Sequence, residues 1–360
     1  MRGRLPEQDA MRLGFVIPGS LDTPTGGYRY DRQVVTGLRA AGHRVDLLTL
    51  GESFPQPDAP TLLSSYRAFA GLPAAPVVVD GLALGALPEI GRHLPAHAPL
   101  IALIHHPLAL ESGLSPQLAD ALRASERQAL AAARHVIVPS PATADILVSD
   151  YGLSRDRLSI ALPGVERAPL AVGGRGDTVQ LLSVGSVIAR KGHDLLIEAL
   201  APLADLPWHL AIVGDATRDR TAAAALQAAI GRHGLEARVT LTGALSEDDL
   251  AARYHGADLF VLASRYEGYG MVFSEALVRG LPIVATAVGE AAALLPRAAG
   301  KLVAPEDVTA MTAALRPLIA DKAMRDAAAQ AARNARLPRW SDCVSVFIDL
   351  LRRSQPARAL

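Results

Sequence analysis

Two glutamates with seven residues between them, Glu267 and Glu275, sit in the stretch Ser264 to Gly280, SRYEGYGMVFSEALVRG. An apolar run, Ala257 to Leu262 (ADLFVL), leads into it. A helical pattern containing Ala276 and Leu277 leads out, with the turn Glu267-Gly268-Tyr269-Gly270 between. A strand that feeds a helix through such a turn leaves backbone N–H groups free at the helix start, where a phosphate can bind. The two carboxylates repel a phosphate but accept from hydroxyls, so the pattern suits a ligand with both phosphate and sugar. The cations such a ligand needs stand earlier, at Arg190-Lys191.

Arg190 can grip phosphate oxygens through its planar fork, and Lys191 supplies a mobile point charge. Gly192 lets the backbone come close before a helix begins. Alone, the pair would be a solvated basic patch. Its place at the same sheet end as the glutamate segment favours a ligand. His105 and His106 follow the apolar strand Leu100–Ile104, at its carboxyl end. Adjacent histidines without a nearby third ligand do not make a zinc site, and no metal site is expected. Glu111 is either an acceptor-side residue or an exposed loop glutamate. Gly26 and Gly27, after the first strand, suit close backbone approach or an ordinary turn; Tyr28 and Arg29 reach an acceptor or form an exposed first helical turn. Ser246 with Asp249 makes a capping box, which accounts for the acidic run Glu247-Asp248-Asp249 without a metal.

These residues need strands to carry them. Apolar runs at Arg12–Ile17, Arg44–Leu50, Val77–Val79, Leu100–Ile104, His135–Pro139 and Leu158–Leu162 predict parallel strands covered on both faces. Helices are expected over Tyr28–Ala41 and Ser115–Ala133. Residues 166–177 (ERAPLAVGGRGD) break the pattern as a linker. The alternation then restarts with strands at Val179–Val184, His209–Val213, Arg238–Thr242, Asp258–Leu262 and Pro282–Thr286. Helices are expected at His193–Ala201, Thr221–Arg232, Glu247–Tyr254 and Gly270–Arg279. The expected architecture is α/β, two doubly wound domains facing across a cleft, with ligands beyond the carboxyl ends of the strands. The domains are 11–165, a linker 166–177, 178–335 and a last segment 336–360. Residues 323–353 read as helical, with Trp340, Val344, Phe347 and Leu351 on one face.

Lysine plus arginine and aspartate plus glutamate both number 36, which gives no sign of a nucleic-acid partner. The single cysteine, Cys343, excludes an internal disulfide and fits a reducing cytoplasm. Residues 1–10 (MRGRLPEQDA) lack the apolar core of a signal peptide. The longest apolar stretches, 98–110 and 280–289, fall short of the ~20 residues of a membrane span. A cytoplasmic protein is expected, with attachment to the inner membrane face left open.

With these pieces in order, the chain resembles the retaining glycosyltransferases of family 4, which have the two-domain GT-B fold. The second half carries G-S-x-x-x-R-K-G-H at 185–193, I-V-G-D at 212–215, L-T-G at 241–243 and S-R-Y-E-G-Y-G-x-V-F-S-E-A at 264–276. The first half matches more loosely: T-G-G at 25–27, His105-His106, V-P-S-x-x-T at 138–143 and P-G-V at 163–165. The resemblance implies that Arg190 and Lys191 hold the diphosphate of a nucleotide sugar, UDP- or GDP-linked. Glu275 would accept from the ribose hydroxyls, and Glu267 would contact the transferred sugar. Gly268, Tyr269, Gly270, Met271 and Val272 would line the phosphate side, and Leu241, Thr242 and Gly243 would pass the base. Gly27, Gly185 and Asp215 would border the donor, Asp215 being equally a turn residue. One of His105 and His106 would hydrogen-bond a donor hydroxyl near the reacting carbon; which one stays open. In this fold the last helix usually crosses back to the first domain.

No carboxylate nucleophile stands out, so same-face transfer with retention is expected, the departing phosphate taking the acceptor's proton. No D-x-D motif appears, and neither a metal nor another cofactor is expected. Three rivals are a nicotinamide oxidoreductase, which would need a G-x-G-x-x-G turn that is missing, a GT-B epimerase or phosphorylase, and a silent sugar-nucleotide-binding protein. The acceptor remains open among lipid-linked sugar, polysaccharide end and small metabolite, as do the hexose and the oligomeric state.

Overall fold

The computed structural model describes residues 10–23, 25–111 and 113–354. The leader reading of residues 1–9 and the end of the last segment, 355–360, lie outside the described residues. The chain forms two compact units, Met1–Gly164 with Pro338–Leu360, and Val165–Leu337.

The first unit opens with β1 (Arg12–Pro18), α1 (Gly26–Ala40), β2 (Arg44–Leu50), α2 (Ala59–Phe69), β3 (Val77–Asp80) and α3 (Gly81–Leu84). It continues with β4 (Leu100–Leu103), α4 (Pro116–Ala132), β5 (His135–Val138), α5 (Pro141–Ser149) and β6 (Leu158–Ile160). All pairings are parallel, in the order β2-β1-β3-β4-β5-β6. Every residue of β3 and β4 is buried, the expected mark of strands covered on both faces.

The second unit runs through β7 (Val179–Val184), α6 (His193–Leu200), β8 (Trp208–Val213), α7 (Arg220–Arg232), β9 (Val239–Gly243) and α8 (Glu247–His255). Then come β10 (Leu259–Leu262), α9 (Met271–Val278), β11 (Ile283–Thr286), α10 (Ala291–Leu294), β12 (Gly300–Val303), α11 (Val308–Ala320) and α12 (Lys322–Arg333). Its sheet is also parallel, in the order β12-β11-β10-β7-β8-β9. Residues 166–177 carry no helix or strand, and their backbone is held by this unit. Asp258 accepts from the N–H groups of both Gly174 and Gln180, and β10 starts at the next residue, Leu259.

Two of the expected helices differ from the sequence pattern for a clear physical reason. The helix expected over Tyr28–Ala41 begins at Gly26, because Thr25 caps it by accepting from the Tyr28 N–H; Tyr28 and Arg29 therefore lie in its first turn. The single helix expected over 323–353 is two, α12 and α13 (Trp340–Ser354). Pro338 disfavours helical backbone at the residue before it, and the chain runs without helix until Trp340. Helix α13 packs in the first unit, where Cys343 Sγ donates to the Tyr30 hydroxyl at 3.2 Å and Tyr30 donates to the Ala161 carbonyl at 2.8 Å. Trp340 meets Tyr30 edge to face at 5.6 Å. Among the described residues no helix is long and apolar enough to cross a membrane.

Candidate functional site

In the second unit the strand order reverses between β7 and β10, so the loops leaving these strands open at a switch point, where open α/β sheets bind ligands. After β7 the chain turns through a short 3-10 segment, Ala189–Lys191, and enters α6 at Gly192. Gly192 has φ 61°, and a Cβ there would lie 2.0 Å from the Ala263 carbonyl oxygen. Only glycine lets this turn rest on the chain leaving β10. Lys191 lies over Gly185, where an added Cβ would come 3.0 Å from Cε.

The two loops meet through charge. Lys191 Nζ donates to Glu267 Oε1 at 2.6 Å, and Arg190 Nη1 lies 3.6 Å from Glu267 Oε2. Ser264 Oγ donates to Glu267 Oε1 at 2.7 Å, and Arg190 Nη1 donates to the Tyr266 carbonyl at 3.1 Å. Burial would raise the pKa of Glu267, but the charges of Lys191 and Arg190 and the hydrogen bonds from Lys191 and Ser264 outweigh it and hold the carboxyl low. Arg190 Nε is buried without a partner, a spare donor beside this pair.

Arg265, which carries no role in the sequence reading, ties the loops together. Its guanidinium donates to both Asp194 oxygens at 3.0 and 2.9 Å, to Glu306 at 2.6 Å and to the Ala189 carbonyl at 2.6 Å. Its own N–H donates to the Arg190 carbonyl at 2.8 Å. A charged residue beside a motif reads in sequence as a solvated one; only the fold shows its partners.

Gly270, with φ 88°, starts α9, so Met271 and Val272 fall in its first turn and Glu275 one turn on. Gly268 and Tyr269 form the turn before it, Tyr269 buried. A Cβ on Gly289 would come within 3.0 Å of the Glu267 backbone oxygen and Cβ, so this glycine closes over the same turn. Glu275 is buried and accepts from the Tyr254 hydroxyl of α8 at 3.0 Å. The structure thus brings Gly185, Arg190, Lys191 and Glu267 together and places Glu275 on the helix that follows.

Leu241, Thr242 and Gly243 end the edge strand β9, two strands from β7. Gly243 O accepts from the Gly214 N–H at 3.0 Å. Asp215 Oδ1 accepts from both the N–H and the hydroxyl of Thr217 at 2.7 Å, the bonding of a turn aspartate. His193 is buried and neutral, its pKa pushed down to about 4 by burial, and its Nε2 donates to the Gly185 carbonyl at 3.2 Å.

In the first unit the two histidines part. His106 Nε2 pairs with Glu111 Oε2 at 2.8 Å. His105 Nε2 lies 3.0 Å from Asp31 Oδ1 of α1 and 3.2 Å from Asp80 Oδ2 at the end of β3. A Cβ on Gly27 would come 3.3 Å from His105 Cδ2, so Gly27 and His105 share this site. Burial would lower the pKa of His105, but Asp31 and Asp80 overcome it and lift it to about 10. Sequence reasoning found no companions for this histidine because both aspartates come from distant elements.

Comparison with known proteins gives the family and the fold. Residues 171–335 match the family described as Glycosyl transferases group 1, and residues 24–168 match Glycosyltransferase Family 4. The chain belongs to the group 1 glycosyl transferases of family 4. Its fold is GT-B: it superposes on sucrose-phosphate synthase from Thermosynechococcus elongatus with TM-score 0.80 and 22% identity, covering 96% of this chain and 99% of the other. It also superposes on the Anabaena protein HepE, solved in complex with UDP-glucose, with TM-score 0.69 and 20% identity over 90% of this chain and 93% of the other. In sequence it is 34% identical to mannosylfructose-phosphate synthase of Agrobacterium fabrum over 43% of this chain and 38% of that protein. It is 30% identical to D-inositol 3-phosphate glycosyltransferase of Xylanimonas cellulosilytica over 65% of this chain and 61% of that protein. The matched stretches span less than two thirds of these curated relatives' own length.

Proposed function

We propose that the chain is a retaining glycosyltransferase that moves a hexosyl group from a nucleotide-diphosphate sugar to a hydroxyl acceptor, by same-face transfer and without a divalent metal. The observation that carries this reading is the meeting of Lys191 and Arg190 with Glu267 at the switch point of the second sheet. Two cations there suit a diphosphate, and the spare Arg190 Nε–H offers it a further donor. On donor binding the diphosphate replaces Glu267 as the partner of Lys191, and the freed carboxylate turns to the hydroxyls of the sugar. Glu275 takes the ribose hydroxyls in place of the Tyr254 hydroxyl. As the bond to the anomeric carbon breaks, Arg190 and Lys191 hold the growing negative charge, and the leaving phosphate oxygen takes the acceptor's proton. Charge stabilisation of this kind is commonly the largest catalytic contribution.

UDP-glucose is the first donor to try, since HepE binds it. The names of the relatives point to a small phosphorylated sugar or polyol as acceptor. The test is a thermal-shift screen with UDP-, GDP- and ADP-sugars, since a ligand stabilises the folded state it binds. Release of nucleoside diphosphate with sugar-phosphate acceptors, with and without a chelator, follows it. A donor-dependent shift with chelator-resistant, α-configured product supports the reading; no shift with any nucleotide sugar overturns it.

A further inference from the structure

Outside the Lys191–Glu267 site, a second group of ionisable side chains that face one another lies in the first unit. His105 follows β4, Asp80 ends β3 and Asp31 lies within α1. The strand order of this sheet reverses between β1 and β3, so Asp80 and the loop leading to α1 stand at its switch point. Asp31 is fully buried, although its helix carries arginines on either side of it at 29 and 32. Burying an aspartate without reason is costly. Its Oδ1 meets His105 Nε2, while its Oδ2 is buried with no hydrogen-bond partner. Asp80 is fixed from its other side, its Oδ1 accepting from the Leu82 N–H at 2.9 Å. Tyr30 presents its ring to His105 edge to face at 5.1 Å, which fixes the imidazole plane.

We propose that Asp31 and Asp80 are positioning residues for His105: together they take its Nε2–H and hold the ring doubly protonated, so that Nδ1–H is left as a donor to a substrate oxygen.

The chemistry follows from counting sites. One ring nitrogen faces two carboxylates, and a carboxylate only accepts, so Nε2 carries a hydrogen. Among the described residues Nδ1 has no hydrogen-bond partner, all the polar contacts of the ring being made through Nε2. In a neutral ring it would be an acceptor. Two carboxylates against one imidazole favour the cation, in which both nitrogens donate. The group His105 meets must then be an acceptor, a hydroxyl oxygen through its lone pair or a phosphate oxygen. Among the described residues, the ionisable groups facing the ring are Asp31 and Tyr30 from α1 and Asp80 from β3, the Tyr30 hydroxyl being held neutral by burial; His106, next in sequence, is turned to Glu111. The upward pKa of His105 agrees with this charge state. The catalytic use of that donor rests on the proposed function, whereas the charge state does not.

The experiment therefore reads the ring directly. Protein labelled with nitrogen-15 in histidine is examined by NMR at about pH 8, above the ordinary ~6.5 of histidine. His105, assigned by its loss in His105→Gln, should show both ring nitrogens in the imidazolium range while exposed histidines are neutral. Asp31→Asn and Asp80→Asn should each lower the pH at which His105 loses its proton, and the double variant should leave it neutral at about pH 8. A neutral His105 in the unaltered protein, or one unmoved in the folded double variant, overturns the proposal. With donor and acceptor in hand, Asp31→Asn should lower kcat about tenfold, the worth of a charged hydrogen bond, and bring the alkaline limb of the rate to lower pH. A lower kcat with the limb unmoved means a merely structural aspartate and also overturns it. An imidazolium His105 in a protein that binds no nucleotide sugar upholds the positioning and defeats only the function.

Discussion

Lys191 Nζ lies 2.6 Å from Glu267 Oε1, a part-buried ammonium against a buried carboxylate, contributed by loops from different strands. Each makes the other tolerable in a site with little water. Lys191→Ala leaves Glu267 without its nearest cation, and breaking a buried pair from one side costs about 3–5 kcal/mol. Adding Glu267→Gln should restore much of that in denaturant unfolding. It should not restore turnover, which the loss of Lys191 lowers ~10²–10³-fold. Unchanged turnover in Lys191→Ala removes the lysine from the mechanism.

Arg265 holds Asp194, Glu306 and the Ala189 carbonyl with one planar group. Lysine keeps the charge but loses the fork. Arg265→Lys should therefore raise the KM for the donor about tenfold, the worth of a charged hydrogen bond, with kcat little changed. Initial rates across donor concentrations decide it, and an unchanged KM would show that the loops hold Arg190 and Lys191 without this tie.

Gly192 and Gly234 share nearly the same backbone, φ 61° and 63°, but differ in their surroundings. At Gly234 nothing lies within 4 Å of an added Cβ; at Gly192 the Ala263 oxygen lies 2.0 Å away. Gly234→Ala should cost about 1–2 kcal/mol, the strain of left-handed backbone alone. Gly192→Ala should cost about 4 kcal/mol or more. Equal losses in urea midpoints would mean that the turn shifts freely.

Glu126 of α4 is buried, and the Leu108 N–H donates to both its oxygens at 3.2 and 3.3 Å. Burial raises its pKa from 4.5 to about 7. The folded state then binds the proton more tightly than the unfolded one. Stability from this group is fully present below about 4.5 and declines as pH rises to about 7. Glu126→Gln should flatten that decline, by on the order of 3 kcal/mol between pH 5 and pH 8. Urea unfolding at both pH values measures it; a slope equal to the parent's would place the decline elsewhere.

What the sequence discloses here follows what each residue's neighbours are. Val179–Val184 is legible as β7 because a strand buried on both faces is mostly apolar, here interrupted only by Gln180 and Ser183. Glu267 and Arg190-Lys191 are legible together because their strands end at the same edge of one sheet, although 76 residues separate Lys191 from Glu267. Asp31 is not, since an aspartate between arginines in an amphipathic helix reads as solvated until packing turns it inward. Nor does β12 show in the pattern: Gly300–Val303 is four residues with a lysine inside, and its strand character comes from pairing with β11. Asp215 illustrates the opposite case, its turn bonding being what local chemistry alone suggests.

Helix α13 leaves the ribosome after the whole of the second unit, yet it closes over Tyr30 of α1. Val165–Leu337 can therefore complete its fold on the emerging chain while the earlier-made sheet still waits for its final piece. Until Trp340 and Cys343 emerge, the nascent protein carries an unsealed aromatic patch around Tyr30. A chain stalled near residue 337 would expose that patch to chaperones and proteases.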